Sequence, residues 1–184
     1  MYHPCYSEYT MPKIIKEKSI FKSRLFNIKQ AQIEFNHQIL EYEIISGTGQ
    51  GAVIIVPIID DEIIFIREYA AAVDDYMITL PKGKIDKGEE LIETANRELQ
   101  EEVGFKSDNI KLINKIYLAP GYIDHITYVM LATNLIPSYL QGDEPEDLEI
   151  VRVKSNDATT FLSKEPIIDS RVFAAIHYVK NYDK

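Results

Sequence analysis

The chain has a single cysteine, Cys5, so no internal disulfide framework is available and a reducing compartment, the cytoplasm, is expected. Basic residues are in the minority: 20 lysines and arginines face 29 acids, for a net charge of −9. No basic patch is visible, which argues against a nucleic-acid-binding or membrane-binding surface. No apolar run approaches the roughly 18 residues of a transmembrane helix. The opening "MYHPCYSEYTMPKIIKEK" has no apolar core of the kind a secretory signal needs. Internal repeats and low-complexity tracts are also missing. What is present is 184 residues, 46% hydrophobic and 27% charged, enough for one domain with a real core and a small annex.

Alternating polar and apolar residues mark the first 45 positions. "SRLFNIKQAQIEF" and "HQILEYEII" read as two strands around a turn near Asn36. The glycine-rich "SGTGQG", residues 46–51, reads as a boundary, giving an N-terminal β annex over 1–50 and a main domain over 51–184. "AVIIVPII" is almost wholly apolar, as a strand covered on both faces is. Asp60-Asp61 then turns the chain into "EIIFIREY", its hairpin partner, followed by the short strand "YMITL" and a loop from Pro81 to Gly88.

Glu89 to Val103 reads as a helix, with Leu91, Ile92, Ala95, Leu99 and Val103 on one apolar stripe and Gly104 as its C-terminal glycine. "IKLINKIYLA", "HITYVMLATNL" and "IVRV" read as strands, and 157–162 and 169–181 as helices. The order predicts an α/β fold, a mixed sheet covered by helices on both sides.

Glu98, Glu101 and Glu102 share one turn of the first helix, away from its apolar stripe. Like charges so placed repel by roughly 0.2–0.5 kcal/mol per pair. A hard cation removes that repulsion, and Mg²⁺ takes carboxylate oxygens while keeping sites for water and phosphate. A solvated acidic face, with Arg97 paired to Glu93 or Glu101, explains the same residues. The helix alone does not separate the two readings.

The wider spacing does separate them. Gly83, five residues, Glu89, seven residues, then "RELQEEVGF" from Arg97 to Phe105 resembles the Nudix box, G-x5-E-x7-R-E-U-x-E-E-x-G-U with U a bulky apolar residue, at every fixed position. The flanks "SRLFNI", "VPIIDDEIIFIREYA" and "GDEPED" are similar to those of the NudE-type ADP compounds hydrolases and ADP-ribose pyrophosphatases within that family. Pro120, sixteen residues after Gly104, is a further mark of that group.

The resemblance implies a Nudix fold, an α-β-α sandwich on a mixed sheet behind a small antiparallel annex. It implies a loop–helix–loop holding Mg²⁺ or Mn²⁺, more than one ion per site. Glu98 and Glu102 become the main ligands, Glu101 a ligand or base, and the Lys82 carbonyl a further ligand. Arg97 becomes an orienting partner for the carboxylates. In the acidic loop 141–149, Glu144 matches a general base and Glu146 an additional ligand.

Arg67 is assigned to a phosphate or adenine edge, or else is a strand-end arginine paired with Glu68 or a neighbour. Tyr69 stacks on adenine or belongs to the core or rim. His125 stands where ADP-ribose pyrophosphatases often carry a glutamate, which implies a broader range of ADP-linked compounds. By itself, His125 reads as a histidine at a strand start.

The implied reaction is hydrolysis of the pyrophosphate bond of ADP-ribose, NADH or diadenosine polyphosphates, giving AMP and the second phosphorylated moiety. The implied partner is a small nucleotide substrate, and the annex implies a homodimer. Two alternatives stand beside it. One is a nucleotide-sanitising triphosphate pyrophosphatase, and the other a non-catalytic ADP-ribose sensor.

Overall fold

In the computed structural model, the structure describes residues 11–47, 49–142 and 144–182. Cys5 and Asp143 lie outside them. The described residues divide between two compact units, bounded as Met1–Thr48 with Ala119–His125 and Gly49–Leu118 with Ile126–Lys184.

The smaller unit is built on a three-stranded antiparallel sheet, β1 (Lys13–Lys22), β2 (Phe26–Phe35) and β3 (Gln38–Gly47). The sequence reading missed β1. Its register shifts at Ile14/Lys16 and Ser19/Phe21, where the apolar pairs Ile14-Ile15 and Ile20-Phe21 interrupt the alternation. The β2–β3 turn is at Asn36-His37, both with positive φ (42° and 75°), as a tight two-residue hairpin requires. Residues 119–125 join this unit through β3. Ile45 N–H donates to the Tyr122 carbonyl (2.7 Å), Asp124 N–H donates to the Ile45 carbonyl (3.1 Å), and the Ser46 hydroxyl donates to Asp124 (2.6 Å).

The larger unit is a seven-stranded mixed sheet. Its elements are β4 (Ala52–Ile59), β5 (Glu62–Ala70), β6 (Asp75–Thr79), β7 (Lys82–Lys84), α1 (Leu91–Glu102), β8 (Phe105–Tyr117), β9 (Ile126–Pro137), β10 (Glu149–Lys154), α2 (Ala158–Leu162) and α3 (Ser170–Lys180). The main path is β10-β5-β4-β9-β8, with β6 on β5 and β7 on β4. Only the central β4–β9 pair is parallel among these pairings.

The apolar run of β4 explains the layering, because successive side chains point to opposite faces. Val53 and Ile55 pack with Ala95 and Leu99 of α1, while Ile54 and Val56 pack with Leu162 of α2 and Val172, Ala175 and Ile176 of α3. Helices therefore cover both faces, an α-β-α sandwich. The β4–β5 hairpin turns at Asp60-Asp61, again with both φ positive.

Two details of the loop and helix differ from expectation. The stretch 81–88 contains β7, which pairs with β4 through Lys82, Gly83 and Lys84. Ile92, placed on the apolar stripe by spacing, is 52% exposed, while Leu91 beside it packs against the core. Among the described residues, no helix is long and apolar enough to cross a membrane.

Candidate active site

The helix α1 is set against the sheet by Ala95 and Leu99, and this turns Glu98 and Glu102 inward toward β7. Its N-terminus is fixed by Glu93, which accepts from the Glu90 backbone N–H (3.0 Å). At its other end Gly104 takes φ +73°, the left-handed conformation favoured by glycine after a helix.

Gly83 is the second contact. A Cβ built on it would collide with the Glu98 carboxylate, so glycine is what lets β7 and that carboxylate share the space. The Lys82 N–H donates to Glu102 Oε2 (2.9 Å). Glu98 and Glu102 are only 7% and 8% exposed. Burial pushes the Glu98 carboxyl up to about 7 and the Glu102 carboxyl up to about 8, against the pull of Arg97 on the first and Lys82 on the second.

Arg97 organises the remaining acids. Its Nε donates to Glu89 Oε1 (2.8 Å) and its Nη2 to Glu89 Oε2 (3.1 Å), a two-pronged grip. Nη1 donates to Glu98 Oε1 (2.7 Å) and Glu101 Oε2 (3.0 Å), and Nη2 also reaches the Lys84 carbonyl (3.1 Å). Hydrogen bonding from Arg97 lowers the Glu89 carboxyl to about 2. The pairing with Glu101 was one of the sequence alternatives. The stronger pairing with Glu89 was not foreseen, although Glu89 is a fixed position of the motif.

The acidic loop reaches the same helix through backbone contacts. Ser138 N–H donates to the Gly104 carbonyl (3.0 Å) and Leu140 N–H to the Gln100 carbonyl (3.2 Å). A Cβ on Gly142 would lie 3.3 Å from Glu101 Cβ, so the chain passes close to α1 there. A cleft of about 370 Å³ results, and its walls include Glu101, Glu102, Glu144 and Glu146. Glu146 accepts from the Tyr76 hydroxyl (3.1 Å).

Arg67, Tyr69 and Pro120 are not among the residues that line this cleft. Arg67 is held by Glu149 (3.1 Å), its cross-strand partner on β10, and by Glu165 (3.1 Å), not by Glu68 or a box carboxylate. The Tyr69 hydroxyl donates to Asp74 (2.6 Å), and its ring packs edge-on to Tyr76 at 5.7 Å. Pro120 belongs to the smaller unit, in a turn where the Ala119 carbonyl accepts from Tyr122 N–H (3.1 Å) and Ile123 N–H (2.8 Å).

Among the described residues, no group of three or more His, Cys, Asp or Glu side chains stands ready to hold a metal ion. Arg97 and the Lys82 N–H occupy carboxylate oxygens that such an ion would use. The donor set nevertheless fits a divalent cation. Two buried carboxylates are hard to ionise without a nearby cation, and both are oxygen donors of the kind Mg²⁺ takes.

Two buried carboxylates on a short helix, Glu98 held by Arg97 and Glu102 by the Lys82 N–H, define a loop–helix–loop acidic site of the Nudix class. Residues 49–174 match the family model for the NUDIX domain, and the chain belongs to the Nudix family. It is 37% identical over 174 residues to the ADP compounds hydrolase NudE of Escherichia coli (strain K12), covering 94% of each chain. It is 29% identical over 172 residues to the ADP-ribose pyrophosphatase of Bacillus subtilis (strain 168), covering 91% of this chain and 92% of that one. A crystal structure of an ADP compounds hydrolase is similar with a TM-score of 0.87 and 36% identity, covering 96% of both chains. Divalent metal is the general cofactor of Nudix hydrolases.

Proposed function

We propose that this protein hydrolyses the pyrophosphate bond of ADP-linked compounds with Mg²⁺ or Mn²⁺, more than one ion per site. The observation that carries the reading is the pair of buried carboxylates, Glu98 and Glu102, inside a complete box. Glu98, Glu102, Glu101, the Lys82 carbonyl and Glu146 would hold the metal. Bound there, a divalent cation supplies charge against the diphosphate oxygens and makes a water more acidic.

The chain's own residues do the rest. Arg97 fixes Glu98 and Glu101 in one pose through its anchorage on Glu89. Glu144, on the cleft wall, takes the proton of the attacking water. The water oxygen bonds to one phosphorus, and the bridging P–O bond breaks. ADP-ribose gives AMP and ribose 5-phosphate. The names of the relatives support an ADP-linked substrate. Arg67, Tyr69 and Pro120 remain the residues proposed to bind the substrate, Arg67 at a phosphate or adenine edge and Tyr69 by stacking on adenine.

The test is one panel of ADP-ribose, NADH, diadenosine triphosphate, GDP-mannose and dGTP, with products identified. AMP from the ADP-linked members supports the reading. Preference for dGTP would make it a triphosphate pyrophosphatase, and tight ADP-ribose binding without turnover would make it a sensor.

The protein is proposed to be a cytoplasmic homodimer that uses the annex. Ile14, Ile20, Phe21, Leu25, Phe26, Ile39 and Leu40 are exposed on the smaller unit, and exposed apolar surface of this kind is what a subunit interface would cover. Ultracentrifugation at micromolar protein is expected to give a dimer, and a monomer there would end this part of the proposal.

A further inference from the structure

The geometry points to Glu68 and Lys82 as a charge-setting pair for the metal site: the Lys82 ammonium cancels Glu68, so that Glu68 adds no net charge beside the proposed ligand Glu102. The inference rests on the proposed role of Glu98 and Glu102. Both Glu68 oxygens lie 2.6 Å from Lys82 Nζ, and both side chains are largely shielded from solvent. The same lysine donates its backbone N–H to Glu102 Oε2 at 2.9 Å. One residue of β7 therefore touches a proposed ligand through its backbone and a second acid through its side chain.

Charges in partial burial are screened far less than charges in water. Consistent with this, Lys82 pulls the Glu102 carboxyl down and Glu68 pushes it up. Asp169 also feels Lys82, but its carboxylate is closed by Arg171, with Nε at 3.0 Å and 2.9 Å from its two oxygens. Glu68 is the acid that Lys82 pairs with directly. Removing either charge should alter how strongly the site draws a cation, in opposite directions. A pair that merely tied β7 to β5 would not do so: losing either partner would loosen the site and weaken binding both times.

The experiment is Mn²⁺ binding to the full chain, read from the paramagnetic resonance signal of free Mn²⁺. Lys82→Met keeps the backbone carbonyl and leaves Glu68 as an added negative charge, so affinity should rise about threefold. Glu68→Gln leaves the ammonium facing the ligands, so affinity should fall about threefold. The double variant should return to within about twofold of wild type, and Lys82→Arg, which retains the charge, should do the same. If Lys82→Met does not fold, Lys82→Gln replaces it. The inference requires two shifts of opposite sign, each at least about twofold; any other pattern overturns it. Glu102→Gln is measured alongside. A loss of Mn²⁺ affinity there, with same-sign shifts at 68 and 82, sinks this inference alone. Unchanged affinity in Glu102→Gln sinks the metal assignment and the inference together.

Discussion

Seven acids lie between Asp86 and Glu102, and five between Asp143 and Glu149, yet the protein treats the two sets in opposite ways. In the first, Glu98 and Glu102 are buried, and Arg97 ties Glu98 to Glu89 and Glu101. In the second, the described acids stay at or near the surface, and Glu146 is held by the exposed hydroxyl of Tyr76. The box set is fixed before any ligand arrives. The loop set follows backbone that is tied at Ser138 and Leu140 and passes close to α1 at Gly142. A fixed carboxylate suits a metal ligand, and a carboxylate on a loop suits a proton acceptor that need not be held by metal beforehand.

Substitution breaks this comparison most directly in the box. Glu98→Gln and Glu102→Gln should each lower kcat/KM by more than about a hundredfold while far-ultraviolet circular dichroism stays unchanged. Near-normal turnover of either variant at saturating Mg²⁺ would remove it from the ligand set.

The loop should respond differently. Glu144→Gln is expected to lower kcat by roughly 10²–10⁴-fold with KM and Mg²⁺ dependence little changed, because the lost interaction belongs to the transition state. Glu101→Gln should instead shift the Mg²⁺ dependence, since Glu101 shares the Arg97 anchor with Glu98. Rescue of Glu144→Gln by excess Mg²⁺ would transfer the base assignment to Glu101.

The smallest expected effect is on stability. Glu98 and Glu102 ionise at about 7 and about 8 in the folded chain, against an ordinary value of 4.5. Between those values the metal-free folded protein holds protons that the unfolded chain has released. Their contribution to stability is therefore fully present below about 4.5 and is lost as pH rises through 7 to 8. Mg²⁺ needs both groups ionised, so its stabilising effect should grow over the same range. Thermal unfolding at pH 6 and pH 8.5, with chelator and with Mg²⁺, checks both signs. A Mg²⁺ increment that shrinks with rising pH would contradict the burial account.

The same contrast explains what the sequence disclosed. The box was legible because its contacts are local and its spacing rigid: Gly83, Glu89, Arg97 and Glu98 meet through one strand, one loop and one helix. The two-sided burial of β4 was legible from an uninterrupted apolar run, and the β4–β5 turn from Asp60-Asp61. The register breaks of β1 hid a whole strand. The sequence does not say which acids pair with Arg67, because Glu149 and Glu165 lie 82 and 98 positions away and no periodicity announces them. The Glu68–Lys82 pair was equally silent, since it depends on how β7 is laid beside β4.

One measurement tests the central claim, that these carboxylates serve a metal-dependent hydrolysis of an ADP-linked diphosphate. ADP-ribose is incubated with the full chain in Mg²⁺, then in excess chelator, then with Mg²⁺ restored, and AMP is followed by chromatography. The account predicts AMP formation that stops with the chelator and resumes with the metal. Undiminished AMP formation in the chelator, or none in any condition, would contradict it.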